Sequence, residues 1–113
     1  MYQYKKNRIE INGNAYEFEF EIRSVVQYKE NYIVLLTIPY SSKEINNIYS
    51  LDAEAKIKWR AEDLACKFPK LKNLLPYEDM GLKDDKIYAT DFYGRNFALN
   101  AETGEIDDYS IVK

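Results

Sequence analysis

Apolar and acidic residues alternate near the N-terminus of the chain, as they do in a half-buried β-strand. Every second residue from position 16 to position 22 is large and apolar, and the residues between are glutamates: the sets are Tyr16, Phe18, Phe20 and Ile22, and Glu17, Glu19 and Glu21. The Asn12-Gly13 pair before this run is a strong signal for a two-residue type I′ turn, because both turn residues must adopt positive φ. The pattern therefore predicts a hairpin in which Ile11 pairs with Asn14.

The register of this hairpin decides how the glutamate stripe is interpreted. It places Arg8 opposite Glu17 and Lys6 opposite Glu19, and each such cross-strand pair contributes about 0.2–1 kcal/mol. A stripe neutralised by facing cations is typical of the solvent face of an antiparallel sheet. We therefore favour a solvent-facing strand over a metal or partner site here.

Further strands are predicted downstream, with one helical interruption. Residues 32–38 follow a turn at Lys29-Glu30-Asn31 and are apolar on both faces, as expected of a central strand covered on both sides. Leu64, Phe68, Leu71 and Leu75 recur at helical spacing, but Pro69 breaks the run because proline is excluded from helix interiors. Shorter strands are predicted at 48–52, 56–60, 86–92, 96–100 and 105–112.

These patterns predict a mainly β protein, an antiparallel meander of about eight strands with one short helix near residues 61–68. The 113 residues fit a single domain. Its parts are N-terminal hairpins in residues 1–40 and a blade-like meander in residues 48–113, with a helical insert at 61–77. The pattern leaves open whether the strands form an open sheet, a sandwich or a blade-like unit.

A short internal repeat lies in the meander. Leu51-Asp52-Ala53-Glu54 returns as Leu99-Asn100-Ala101-Glu102 after 48 residues. Residues 87–106 resemble one blade of the pyrroloquinoline-quinone-type β-propeller repeat, and residues 48–60 resemble it more loosely. Trp59 stands at the strand-end position of that repeat, where the second copy has Asp108. The resemblance implies a four-stranded antiparallel blade, but a complete propeller needs at least four blades of about 40 residues, so it implies no quinone cofactor.

Candidate catalytic groups are scarce. The chain has no histidine, which removes the commonest general base and the usual zinc ligand sets. Cys66 has no histidine to activate it, and we expect it to pack as a small hydrophobe. Neighbouring carboxylates such as Glu78 and Asp79 point to opposite faces of a strand. We expect no catalysis, no metal and no cofactor, although a carboxylate-only site assembled in three dimensions stays open.

The distribution of charged residues along the chain indicates which kind of partner the protein binds. Residues 1–76 carry 12 Lys/Arg against 10 Asp/Glu, whereas residues 77–113 carry 4 against 9. An acidic surface repels phosphate backbones and attracts basic proteins. We therefore expect that the protein does not bind nucleic acid, despite the cluster of Lys67, Lys70 and Lys72. The longest apolar-rich run has eight residues, whereas a membrane helix needs about 20, so we expect no membrane partner.

The N-terminal residues lack the apolar segment of a secretory signal, and a single cysteine suits a reducing compartment. We therefore expect a cytoplasmic protein.

Tyrosines stand among the carboxylates of the C-terminal third, and tyrosine is enriched at protein interfaces. Tyr88 and Tyr109 are expected to pack in the sheet. The predicted partner-binding surface comprises Tyr77, Glu78, Asp79, Asp84, Asp85, Tyr93, Asp107 and Asp108.

A short, acidic, aromatic-rich chain without enzyme motifs resembles a small bacterial immunity protein. That resemblance implies a non-catalytic protein-binding module that neutralises a basic toxin, such as a nuclease, by blocking its active site. The alternative is a self-assembling scaffold or lectin-like protein built from blade-like units. The sequence leaves the oligomeric state open.

Overall fold

Eleven strands and one short helix are present in the computed structural model, which describes residues 1–111 except the side chains of Asp108, Ser110 and Ile111. The strands are β1 Tyr2–Lys5, β2 Arg8–Ile11, β3 Asn14–Glu17, β4 Ile22–Tyr28, β5 Asn31–Leu36, β6 Ile48–Leu51, β7 Ile57–Arg60, β8 Tyr77–Lys83, β9 Lys86–Asp91, β10 Arg95–Asn100 and β11 Ile106–Ile111, and the helix is α1 Leu64–Lys67. This confirms a mainly β fold with a single short helix in the predicted region.

The strands form three antiparallel sheets, each of which follows the chain as a meander. The N-terminal sheet is β1-β2-β3, the middle sheet is β4-β5-β6-β7, and the C-terminal sheet has the order β11-β10-β9-β8. The predicted 105–112 strand corresponds to β11, and residue 112 lies outside the described residues. The sequence left open whether the strands form an open sheet, a sandwich or a blade-like unit. The structure has three separate sheets that stack on one another through shared cores.

β5 lies at the centre of this stack. All six of its residues are buried. Ile33 and Leu35 belong to a core shared with the C-terminal sheet, whereas Tyr32, Val34 and Leu36 belong to a second core shared with the N-terminal sheet. The prediction of a central strand covered on both faces is confirmed.

The N-terminal hairpin has the predicted register where β2 pairs with β3, from Arg8 opposite Glu17 to Ile11 opposite Asn14. Asn12 and Gly13 have φ of 50° and 87°, and Ile11 pairs with Asn14. The prediction for Lys6 is wrong, because Lys6 lies in the β1–β2 turn with φ of 55°. The strand also ends at Glu17, where the Asn7 side chain donates to the Phe18 carbonyl over 2.7 Å and bends the chain.

This bend partly explains why the structure has eleven strands rather than about eight. It divides the alternating run between β3 and β4. The Lys6 turn separates β1 from β2, and β8 forms in a segment where no strand was predicted. Asn47, 1% exposed, holds the start of β8 against the end of β5. Its Nδ2 donates to the carbonyls of Leu36 (2.7 Å) and Tyr77 (2.9 Å), and its Oδ1 accepts from the Tyr77 amide at 2.8 Å.

The internal repeat occupies equivalent turns in the middle and C-terminal sheets, between the third and fourth strands of each. Asp52 Oδ1 accepts from the amides of Glu54 and Lys56 at 2.8 and 3.0 Å. Asn100 Oδ1 likewise accepts from the amides two and three residues later, at 2.8 and 3.2 Å. The two turns are therefore built by the same side-chain cap. The resemblance to a quinone-type blade stays a prediction.

Candidate partner-binding groove

The predicted partner-binding residues do not form one surface. Tyr77 is 1% exposed and packs edge-on against Phe97, with ring centroids 5.7 Å apart. Its placement at the surface was therefore wrong. Burial raises the pKa of the Tyr77 hydroxyl, and the nearby charge of Asp91 adds to the shift.

The acidic members of the set are spread along the C-terminal sheet. Glu78 lies near the start of β8, whereas Asp84 and Asp85 form the turn after its end. A strand rises 3.2–3.4 Å per residue, so about 20 Å separates Glu78 from that turn. Asp79 is exposed on β8, and its Oδ1 accepts from the amide of the next residue at 2.9 Å. Asp107 pairs with Lys86 across the sheet, and the side chain of Asp108 lies outside the described residues.

Some of these carboxylates already have partners within the protein. Asp85 accepts a hydrogen bond from the Tyr28 hydroxyl at 2.9 Å. Glu102, on the adjacent turn, pairs with Lys29 at 2.9 Å and with Lys58 at 3.7 Å. The hydrogen bond from Lys29 lowers the pKa of Glu102. At this end of the molecule Glu102 is paired with two lysines and Asp85 is hydrogen-bonded within the protein.

An aromatic groove lies at the opposite end of the C-terminal sheet, with a volume of ≈ 530 Å³. Tyr40 is fully exposed, Phe92 is 68% exposed and Tyr93 is 59% exposed. The groove also has an apolar floor, formed by Ile38, Pro39, Ile45, Leu74, Leu75 and Pro76. The charged residues at its rim are Arg23, Lys43, Glu44 and Glu78. Of the predicted set, the structure brings Tyr93 and Glu78 together here.

One buried arginine fixes two walls of this groove. Arg95 Nε pairs with Asp91 Oδ2 at 2.6 Å, and both side chains are buried. The same guanidinium donates to the carbonyls of Lys72 (3.1 Å) and Asn73 (2.7 Å), just before the wall formed by residues 74–76. Asp91 Oδ1 accepts from the Tyr93 amide at 2.9 Å, which closes the β9–β10 turn. The aromatic tip and the facing wall are therefore held in fixed positions.

Two further expectations about aromatic and thiol side chains need correction. Tyr88 is 45% exposed, because Ile87 and Ala89 point inward and the residue between them points outward. Tyr109 packs as expected, with its ring stacked 5.1 Å from that of Phe97. Cys66 is exposed rather than packed, since the one-turn helix buries Leu64, and its thiol donates to Asp63 Oδ2 at 3.4 Å.

The sequence reasoning missed Tyr40 and Phe92. A local signal existed for Phe92, because the segment Asp91-Phe92-Tyr93-Gly94 is an aspartate-capped turn with aromatic residues at its tip. Gly94 has φ of 82°, as such a turn requires. Aromatic side chains at the tip of a tight turn have few neighbours, and that geometry favours their exposure.

The sequence pattern of one protein family, described as a domain of unknown function (DUF7957), matches residues 1–111. The chain belongs to this family. The match includes all three sheets, so the groove and both cores lie within the DUF7957 domain. No curated protein matches the chain. Within residues 1–111 of this DUF7957 member, no helix has the length and apolarity needed to cross a membrane.

Proposed function

We propose that this DUF7957 protein is a non-catalytic protein-binding module whose partner binds at the aromatic groove. The supporting observation is the exposure of Tyr40, Phe92 and Tyr93 around one apolar floor. Contiguous exposed apolar surface with a polar rim is typical of interaction sites, and aromatic residues are enriched in interfaces. The groove therefore has the composition of a contact surface.

The rigidity of the groove supports the same proposal. Arg95 and Asp91 hold the turn that carries Phe92 and Tyr93. A surface that is already ordered loses less conformational entropy when a partner binds, which improves affinity without new contacts. The buried ion pair thus acts as a positioning device for the exposed rings.

The proposed partner is a basic protein, in the manner of an immunity protein that blocks the active site of a toxin such as a nuclease. The excess of nine Asp/Glu over four Lys/Arg in residues 77–113 supports this choice, because carboxylates steer a basic partner toward the surface. Glu78 places one such carboxylate on the groove itself, whose lining also includes Arg23, Lys43 and Glu44. We propose a cytoplasmic location, since the unpaired Cys66 thiol suits a reducing compartment.

A ring-forming scaffold is the competing function. Another blade would have to pack on an apolar sheet face. The outward face of the C-terminal sheet is mostly polar among the described side chains, which include Lys86, Tyr88, Thr90, Asn96 and Asn100. Light scattering separates the two functions: a monomer or dimer agrees with the partner-binding module, whereas a closed ring of three or more copies supports the scaffold.

Differential capture from a lysate of the native host tests the groove. The bait variants are Phe92→Ser and its matched control Tyr88→Ser, because each replaces an exposed ring on the C-terminal sheet with the same small polar residue. We expect one protein to be retained by the wild type and by Tyr88→Ser but lost with Phe92→Ser. Calorimetry with that protein should then show Kd raised about 30-fold or more by Phe92→Ser, as for an interface hot spot.

A charge-reversed double variant tests whether the acidic turn, rather than the groove, contacts the partner. Asp84→Lys combined with Asp85→Lys reverses the charge of the acidic turn and leaves the groove unchanged. If this double variant loses the partner while Phe92→Ser keeps it, the acidic turn is the contact surface and the groove proposal is wrong.

A further inference from the structure

A second, smaller pocket adjoins the groove on the other side of the loop that follows β5. Its volume is ≈ 240 Å³, and Ile38 and Glu44 line both cavities. The pocket lies between the N-terminal sheet and the middle sheet. Four aromatic rings contribute to its lining, those of Tyr16, Phe18, Phe20 and Tyr49.

The carboxylates of this pocket leave one negative charge without a cation. Glu17 pairs at 3.5 Å with Arg8, which also pairs with Glu10 at 3.1 Å, and Glu44 pairs with Arg60 at 2.9 Å. Glu19 also lines the pocket and is exposed. Within residues 1–111, no described cation lies at ion-pair distance from it. Lys6, which the sequence pairing placed opposite Glu19, lies in the β1–β2 turn and forms no ion pair with Glu19 among the described residues.

Arg60 itself lines the pocket, and its contacts with Tyr49 and Glu44 show how a planar cation binds at such a wall. The guanidinium carbon of Arg60 lies 5.2 Å from the centroid of the Tyr49 ring. Its Nη2 donates to Glu44 at 2.9 Å and to the Ile45 carbonyl at 3.1 Å. Stacking on tyrosine together with a charge-assisted hydrogen bond to a carboxylate is the usual mode of guanidinium recognition.

We infer that the pocket receives one arginine side chain of the partner, with its guanidinium beside Glu19 and against the aromatic walls. This inference rests on the proposed function, and it identifies the part of a basic partner that the protein would recognise. The charges are complementary, because the pocket is lined by three carboxylates and one cation, Arg60, and an arginine side chain supplies a further cation. Since the pocket shares lining residues with the groove, one partner can occupy both.

A titration with N-acetyl-arginine amide tests the pocket without any partner protein. The matched ligand is N-acetyl-citrulline amide, which has nearly the same shape but no charge. At constant ionic strength, we expect arginine to shift the NMR signals of Tyr16, Phe20 and Tyr49, with a Kd at least about fivefold lower than that of citrulline. Equal shifts from both ligands, or shifts confined to other residues, overturn the inference.

Variants of the full chain complete the test. Glu19→Gln removes the uncompensated charge, whereas Glu54→Gln removes an exposed carboxylate on the distant β6–β7 turn. We expect Glu19→Gln to weaken arginine binding about fivefold and Glu54→Gln to leave it unchanged; equal effects overturn the inference. Because no partner is present, this failure is distinguishable from loss of the groove proposal, which depends on Phe92→Ser.

Discussion

The side chains of Asp91 and Arg95 form a buried ion pair, with Nε and Oδ2 2.6 Å apart, behind the turn that carries Phe92 and Tyr93. Asp91 caps the turn that presents the exposed aromatic rings. Arg95 reaches across to two backbone carbonyls of the facing wall. One pair of side chains therefore connects the folding of the C-terminal sheet with the shape of the proposed contact surface.

Removal of one partner from this pair should destabilise the protein strongly. Arg95→Met leaves the Asp91 carboxylate buried without its cation, which typically costs about 3–5 kcal/mol. The control is Arg8→Met, because Arg8 forms exposed pairs that contribute about 0–1 kcal/mol. Urea unfolding measures both free energies. Equal losses for the two variants would contradict the structural role given to Arg95.

Gly104 should tolerate no side chain, because the second repeat turn packs directly on Trp59. A Cβ at Gly104 would lie 2.5 Å from Trp59 Cε3, whereas a Cβ at Gly13 would meet nothing within 4 Å. Both glycines have positive φ, 77° and 87°, so alanine costs about 1–2 kcal/mol of backbone strain at either site. Only Gly104→Ala adds overpacking of about 1–3 kcal/mol.

Thermal unfolding of the two alanine variants measures this difference. We expect a clearly lower Tm for Gly104→Ala than for Gly13→Ala, together with a change in Trp59 fluorescence in Gly104→Ala alone. Equal Tm values would show that the indole ring does not lie against the turn.

Tyr77 should make the protein sensitive to alkaline pH. Its hydroxyl is buried and has no hydrogen-bond partner among the described residues, and burial raises its pKa. The unfolded chain loses this proton near pH 10 while the folded chain retains it. The free energy of unfolding therefore keeps its full contribution from this residue below about pH 10. Above that pH it falls by about 1.4 kcal/mol per pH unit.

Tyr77→Phe removes this dependence. At pH 7 we expect the variant to be as stable as the wild type or more stable by about 1–2 kcal/mol, since an unsatisfied buried hydroxyl is deleted. Above about pH 10 its free energy of unfolding should fall less steeply with pH. A loss of more than about 1 kcal/mol at pH 7 would show that the hydroxyl has a partner.

Local sequence signals predicted the turns and the faces of individual strands. Asn12-Gly13 specified the hairpin because few residue pairs adopt positive φ together. The apolar run in β5 identified the strand covered on both sides because its two faces need two neighbouring sheets. The repeated Leu-Asx-Ala-Glu segment identified two turns that share one capping geometry.

The site depended on contacts between sheets, which the sequence does not display. Tyr77 precedes Glu78 and Asp79 and therefore looked like a surface residue, yet Asn47 and Phe97 hold it in the core. Asp85 looked like part of a free acidic patch, but it accepts a hydrogen bond from Tyr28, which ends β4 more than 50 residues earlier. A local turn presents Phe92 and Tyr93, but only the stacking of the sheets brings Tyr40 to the same groove.

Photo-crosslinking in cells of the native host shows which surface of the protein contacts a partner. p-Benzoylphenylalanine replaces Phe92 in one variant and Tyr88 in another, so that the same reactive ring is exposed inside and outside the groove. If the partner binds in the groove, we expect a covalent adduct with one basic protein from position 92 and none from position 88. An adduct from position 88 alone, or from the Asp84-Asp85 turn when the group is placed there instead, would contradict it.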